Sequence, residues 1–505
     1  SALRHPFVVR SLSVLRHKPA YHAHTLELIA VSRRALVTRK FLLALTSGYD
    51  GTPPIEMGAH DPVQYVGDML AFVFRVESEE ADLVWGLVAD SNSSLDGVGE
   101  KDGGEGGEED ANATDEADND NAMDGSMSST AVLSHATSGI SRPLKSRVFQ
   151  VISSLARHPD ESFAAGGEED GAAANDGGIG GHGPDGTFTA HDLDEEAGSA
   201  RTHLAQLYEI CGLLLYYRSA FHKTVARLVQ GSGAAAPSED DLDDDALSRC
   251  IQECLDEASV GFGASLRVYA ALLPNIASLS NESEAALVQG TVARICEVRM
   301  GSPGFFSASD EENHAGHTNL KSLSVEFVVD STVGAALSHC DRLDDAVALR
   351  NAVVSAKKAG LESSVAAKWD KALSDQERTL ADSLIDGETR HVLESVGLAP
   401  VVDALRDMEA VYVEGQMIAS HPGLGPADVR SALKDFYDSL YSPPMPPFDQ
   451  IRDPVLRKYA RGKTAENVVE VYAKIYEALR SDRGGYDDLS CLSMSPNQVQ
   501  TLLSV

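Results

Sequence analysis

Long apolar runs are missing from this sequence. The longest, Ile210 to Tyr217, is ended by Arg218 and falls far short of the roughly 20 residues a helix needs to cross a bilayer. No signal-peptide pattern precedes the first helical stretch, so any membrane role is expected to be peripheral. Cysteine is scarce: Cys211, Cys250, Cys254, Cys296, Cys340 and Cys491 are scattered through 505 positions, without the C-x-x-C pairs of a zinc site or the density of a secreted disulfide scaffold. Cys250 and Cys254 share a helical face, which packed thiols explain better than a metal does. A reducing compartment is the simpler reading. Strand signals are nearly absent, and none of G-x-x-x-x-G-K-[ST], H-E-x-x-H or G-x-S-x-G occurs.

What the chain has in excess is acid, and it is unevenly placed. Of the formal charge of −35, net charges of −11 each fall between Ser91 and Thr130 and between Asp160 and Ala200. Both tracts consist largely of Gly, Asp, Glu, Asn and Ala, which cannot bury enough apolar surface to offset the entropy of ordering. They read as two disordered acidic insertions. Acidity on this scale disfavours nucleic acid and anionic surfaces, and no exposed aromatics are interleaved with the basic residues as single-strand binding would require.

The rest of the chain reads as helix. The spacing predicts helices over Ser1 to Lys18, Tyr21 to Ser47, Pro62 to about Val88, Pro143 to His158, Ala200 to Gly231, from Ser238, and from Glu282 to Arg299. Beyond these come Val333 to Lys358, Ser363 to Ser395, Ala399 to Glu414, Pro426 to Tyr441, Asp453 to Arg461, Thr464 to Arg480 and a short final helix. The Phe327, Val328, Val329 cluster fits strand or helix by pattern, and its neighbours favour helix. The expected class is all-α, an elongated rod of successive helical bundles. Its parts are a first bundle over 1–90, an insertion over 91–130, a helix within 131–159, a second insertion over 160–200, a middle bundle over 201–330 and a C-terminal bundle over 331–505.

The best-punctuated stretch runs from Pro54 to Val76. Asp61 can cap a helix, Pro62 suits its first position, and Gln64 can complete a capping box by reaching back to the Asp61 N–H. Val66, Met69, Leu70, Val73 and Val76 then share one face. Ser495, Pro496 and Gln498 repeat that logic at the start of the last helix.

Two patterns that suggest chemistry have plainer readings. His60-Asp61 looks like the pair of metal-dependent HD phosphohydrolases, but no second pair is placed to complete a site, since His191-Asp192 falls in the second acidic tract. Capping already accounts for Asp61, and His60 reads as a loop residue holding the turn. Gly178, Gly180 and Gly183 spell G-x-G-x-x-G, which carries meaning only between a strand and a helix; here they lie in a Gly/Asp tract. No catalytic, cofactor or metal site is therefore expected. Arg33, Arg34, Arg39 and Lys40, on the second helix, form a candidate interaction surface. A solvated helical face is the plainer reading, and docking of an acidic partner segment or a phosphoinositide headgroup is the other.

The punctuated stretch also carries a resemblance. Arg33, Arg34, Phe41 to Thr46, Gly51 to Pro53, Ile55, Glu56, His60 to Pro62 and Tyr65 to Ala71 resemble a long motif of the subunit 6 family of the conserved oligomeric Golgi (COG) complex. Val392, Leu393, Val396 to Leu398, Ser495, Pro496 and Gln498 to Leu503 match two further family segments, a V-L-x-x-V-G-L string and an S-P-x-Q-V-Q-T-L-L terminus. The family's N-terminal coiled-coil region has no counterpart, as if the chain began inside the protein. The resemblance implies a non-catalytic, cofactor-free tethering subunit, peripheral on the cytosolic face of the Golgi membrane. It would act in intra-Golgi retrograde transport and so in glycosylation homeostasis. Implied partners are the other COG subunits, especially subunits 5, 7 and 8, together with SNAREs, Rab GTPases and coiled-coil tethers. A helical adaptor outside membrane traffic, or an HD-type phosphohydrolase, are the alternatives.

Overall fold

The computed structural model describes residues 5–93, 128–156, 190–231, 245–279, 282–302, 304, 306, 318–410, 417–440, 446–449, 451 and 453–503. Among them the regular elements are all helical, so the class is all-α. The chain divides into two compact units. One comprises Ser1–Asn281, Gly290–Thr332 and Lys358–Gly360, the other Glu282–Gln289, Val333–Lys357 and Leu361–Val505.

The first unit is built on α1 (Pro6–Leu15), α2 (Pro19–Thr46), α3 (Pro62–Ser93), α4 (Ser129–Leu155), α5 (Ala190–Gly231) and α6 (Ala246–Leu279). The face expected of α3 is the one it buries, with Val66, Met69, Leu70 and Val73 fully enclosed. Leu12 of α1, Leu26 and Ala30 of α2, Leu83, Val84 and Leu87 of α3, Val132 and Leu133 of α4 and Leu228 of α5 share one apolar cluster. Since α2 packs on α4, α4 on α6 and α3 on α5, the segments expected to form a first bundle, a separate helix and a middle bundle make one body.

Several boundaries differ from those read in the sequence. Pro143 does not begin a helix; it lies inside α4. A proline there removes one main-chain bond and crowds the carbonyl four residues back. Burial on both sides of it, from Val132 to Ile140 and from Leu144 to Ile152, holds the helix through. Helix α5 opens at Ala190, inside the stretch expected to be disordered. The expected start at Ser238 lies outside the described residues; α6 is capped instead by Asp245, whose Oδ2 accepts from the N–H groups of Leu247 and Ser248, both at 3.0 Å.

Helix α6 is also long and apolar enough by composition to span a bilayer, with a mean hydropathy of 1.2. A search for unbroken apolar runs misses it because polar residues interrupt it. It is a core helix: Leu247, Ile251, Cys254, Leu255, Phe262, Leu266 and Leu273 are wholly buried against its neighbours.

Next come α7 (Glu284–Gly301), α8 (Val325–Leu337), α9 (Leu343–Lys358), α10 (Ser363–Ser395), α11 (Ala399–Ala410), α12 (Pro426–Ser439), the single turn α13 (Pro446–Asp449), α14 (Pro454–Arg480) and α15 (Pro496–Leu503). Val328 and Val329 are helical. The helix expected from Val333 to Lys358 is broken between α8 and α9, where the buried Cys340 turns the chain and its carbonyl accepts from Gln376 Nε2 at 2.9 Å. Conversely, the two helices expected either side of Gly462 are one, α14; an exposed glycine costs a helix interior only about 1 kcal/mol. In the second unit Val392, Leu393 and Leu398 join Val429, Leu433, Phe436, Tyr472, Ile475 and Val499 in one core.

Candidate functional site

The residues of the long motif are spent on placing helices. Asp61 lies where a 3-10 turn, Ile55–Gly58, hands over to α3. Its Oδ1 accepts from the N–H groups of Val63 and Gln64, both at 3.1 Å. The expected reciprocal bond from Gln64 is not made, because the Asp61 N–H donates to the Gly58 carbonyl at 3.0 Å and so closes the preceding turn. His60 Nδ1 lies 3.2 Å from the Met57 carbonyl, and Glu56 pairs with Arg147 of α4 at 2.7 Å. The turn before it needs glycine at Gly48, where φ is +84° and a Cβ would stand 2.2 Å from the Thr52 carbonyl oxygen.

The other two motifs do similar work at other helix ends. Before α15 the reciprocal half of the box forms: Gln498 Oε1 accepts from the Ser495 N–H at 2.7 Å and from its hydroxyl at 3.1 Å. Pro496 takes the first helical position. The V-G-L string ends α10, where Leu398 N–H donates to the Leu393 carbonyl at 2.9 Å and Gly397 N–H to the Glu394 carbonyl at 3.2 Å. With Gly397 at φ +77° and both leucines buried, this is a Schellman cap with its hydrophobic contact.

The four basic residues of α2 separate into two pairs. Arg33 donates through Nε to Glu80 Oε2 at 2.8 Å and through a terminal nitrogen to Oε1. That bond to Glu80 holds the guanidinium pKa above its usual value, against the opposing effect of burial. Lys40 reaches Glu79 at 3.5 Å and lies over the Tyr49 ring. These two join α2 to α3 and to the following turn. Arg34 and Arg39 remain exposed and pair with no carboxylate among the described residues. Exposed beside them, and missed in the sequence, are Leu28, Val31 and Leu42. Leu28 and Leu42 lie fourteen residues apart, with Val31 three beyond Leu28, on the side of the helix away from its buried stripe of Leu26, Val37, Phe41 and Leu45.

A polar cleft of about 620 Å³ adjoins the capping motif, lined among others by Asp61, Gln64, Arg201, Glu209, Arg294 and Glu297. Arg294 and Glu297 pair at 3.2 Å, and burial raises the Glu209 carboxyl. Its lining holds no thiol, and its charged groups oppose one another. Among the described residues no three His, Cys, Asp or Glu side chains converge as a metal site would need. Cys211 and Cys254 are buried, and their thiols are pushed well above the usual range, Cys211 by burial and Cys254 first by its bond with Cys250 and then by burial. Burial likewise raises Cys296 and Cys340 to about 11, far from the low values of reactive cysteines. His191 and Asp192 have side chains outside the description, as does the Gly178, Gly180, Gly183 pattern.

The profile of Conserved Oligomeric Golgi complex subunit 6, C-terminal, matches residues 2–158 and 199–503. The chain belongs to this family. It is 24% identical to the Conserved oligomeric Golgi complex subunit 6 of Bos taurus and to that of Homo sapiens, in each case over 507 residues covering 99% of this chain and 63% of the relative. The Arabidopsis thaliana subunit 6 is 22% identical over 509 residues, covering 97% of this chain and 67% of its own. The chain thus spans less than two thirds of the length of the mammalian subunit 6 proteins. No solved structure matches it. Within the matched residues, Asp61, Gly397 and Gln498 form caps, while Arg33 and Glu56 pair one helix or turn with another.

Proposed function

We propose that this chain acts as a non-catalytic subunit of the conserved oligomeric Golgi complex, tethering vesicles in intra-Golgi retrograde transport and so keeping glycosylation enzymes in place. The observation that carries the reading is the family match over residues 2–158 and 199–503. The commitment of the motif carboxylate Asp61 to two main-chain N–H groups supports it; the same atom is unavailable for the chemistry that the His60-Asp61 pair suggests.

In this reading the helices present surfaces. Sister subunits, subunits 5, 7 and 8 foremost, hold the chain in the assembly at the cytosolic face of the Golgi membrane. SNAREs, Rab GTPases and coiled-coil tethers engage the assembly together. Linking several weak contacts in one particle raises overall avidity by roughly 10² to 10⁴ without any single tight site, which suits a tether that must capture and then release. Depletion of the protein in its own cells tests this. Lectin staining is expected to show under-processed surface glycans, restored by the full-length protein, and unchanged glycans after depletion would overturn the proposal.

A further inference from the structure

Positive charge and exposed apolar surface collect in the first two helices. Residues 1–46 hold eight Lys and Arg and a single acid, Glu27, a net +7 that leaves −42 for the rest of the chain. Of the eighteen large apolar side chains exposed among the described residues, eight also lie in α1 and α2. Scattered apolar residues are ordinary on a surface, whereas a contiguous set marks a place of contact.

On α2 the set is contiguous. At about 100° per residue, Tyr21, Leu28, Val31, Leu36, Leu42 and Leu43 fall within one arc of about 140°, opposite the buried side of Leu26, Ala30, Val37 and Phe41. The arc runs for about 33 Å along the helix. Its one Lys, Arg, Asp or Glu is Arg39, whose apolar stem can lie along such a face while the guanidinium reaches out. On α1 the side away from the buried Leu12 carries Phe7, Arg10 and Val14, with Phe7 and Val14 74% and 65% exposed. Arg10, Lys18, Arg34 and Arg39 are all exposed and pair with no carboxylate among the described residues; Glu27 lies beside His24.

The charge indicates what would cover this surface. Aliphatic and aromatic side chains exposed together, with unpaired Lys and Arg among them and almost no acid, are the composition of helices that lie in a lipid interface. Anionic headgroups attract each such cation by about 1 kcal/mol. The separation of +7 from −42 turns α1 and α2, rather than other surfaces, toward a negative field. Screening beyond about 8 Å in physiological salt limits the repulsion from more distant acids. A second copy of this chain would instead set +7 against +7.

We infer that the exposed side of α1 and α2, from Phe7 to Leu43, docks on an anionic lipid membrane, with its apolar side chains set into the headgroup layer. The inference deepens the tethering proposal and rests on it only for which membrane is met, so the surface can be tested alone. Flotation of the whole chain with phosphatidylcholine vesicles, with or without about 30 mol% phosphatidylserine, reads the contact. Binding is expected to be about tenfold tighter with phosphatidylserine, the scale of one or two cations gaining about 1 kcal/mol each. Arg34→Glu with Arg39→Glu should remove that preference, and Leu28→Ser with Leu42→Ser should weaken binding to the anionic vesicles about tenfold. Lys371→Glu with Lys434→Glu, the same change of charge at exposed positions of the second unit, should leave binding unaltered. All six positions are exposed, and circular dichroism checks that the variants remain folded. The inference is overturned if the chain fails to float with anionic vesicles, if both α2 variants keep their binding, or if the second-unit variant loses as much. Binding to polyglutamate that depends on Arg34 and Arg39, without vesicle binding, would assign the surface to an acidic protein and overturn it too. So would a dimer of the chain that Leu28→Ser with Leu42→Ser dissolves. None of these failures alters the glycan test, so the two proposals fail separately.

Discussion

Arg33 grips both carboxylate oxygens of Glu80, and Glu80 is almost wholly buried, with 1% of its side chain exposed. Removing the guanidinium would strand a buried negative charge, which is far costlier than the pair is worth when intact. Arg33→Ala should therefore destabilise the first unit by about 3 kcal/mol, whereas the neighbouring Arg34→Ala should leave its stability unchanged. The two tryptophans make the measurement direct, because Trp85 lies in the first unit and Trp369 in the second. In a Trp369→Phe background, urea unfolding followed by Trp85 fluorescence reports the first unit. Equal effects of the two substitutions would show that the Arg33 pair is not structural.

Gly139 marks a close approach of α4 to α2. A Cβ there would stand 2.0 Å from Thr38 Oγ1 and 3.1 Å from the Arg34 side chain. Thr38 is stiff about its first side-chain bond and donates to the Arg34 carbonyl at 2.8 Å, so it yields poorly. Gly139→Ala should cost about 1–3 kcal/mol, the usual price of overpacking. Adding Thr38→Ala should recover most of that loss. Thermal unfolding of the single and double variants checks this, and a double variant no better than Gly139→Ala would place the strain elsewhere.

How much of this was legible depended on whether local or distant contacts decide the outcome. The start of α3 at Asp61-Pro62 and its buried face were plain, since the cap and its proline act within one turn. So was the end of α10 at Gly397, because a left-handed residue followed by a leucine is local chemistry. The passage of α4 through Pro143 was not legible. There the Ser141 carbonyl accepts from Cys250 Sγ at 3.2 Å, and the Ser134 hydroxyl accepts from the Ala246 N–H at 3.0 Å. Those partners lie more than 100 residues away, and no window around the proline contains them. The division of the four basic residues was hidden for the same reason, since only the fold brings Glu79 and Glu80 to Lys40 and Arg33.

Glu77 is fully buried on α3, and neither carboxylate oxygen has a hydrogen-bond partner. Burial, with a smaller contribution from the charge of Asp245, pushes its carboxyl well above the ordinary 4.5. A group with a raised folded pKa contributes stability below its unfolded value and loses that contribution as the pH climbs toward the folded one. Glu77→Gln should therefore raise the first unit's Tm by a few degrees at about pH 7.5 and bring no gain at about pH 4. A gain independent of pH would show that ionisation of Glu77 is not what opposes folding.

In the second unit Tyr472 ties the terminal helix down. Its hydroxyl donates to the Met494 carbonyl at 2.6 Å and lies 2.7 Å from the Tyr437 hydroxyl, and its ring stacks on Phe436 at 5.2 Å between centroids. Tyr472→Phe keeps the ring and leaves a partly buried carbonyl without this donor, at a cost of about 1 kcal/mol. Hydrogen exchange over Pro496–Leu503 should accelerate while that of α12 changes little. Equal protection of α15 in the variant would show that apolar packing alone holds it.

The proposed role asks that the chain work inside an assembly, with its polar residues engaged in placing helices. Affinity purification of the tagged full-length protein from its own cells, followed by native mass measurement, tests this most directly. The expected result is one large particle containing this chain and its sister subunits in fixed proportion. Recovery of the chain alone, with the sister subunits assembled without it, would contradict the proposal.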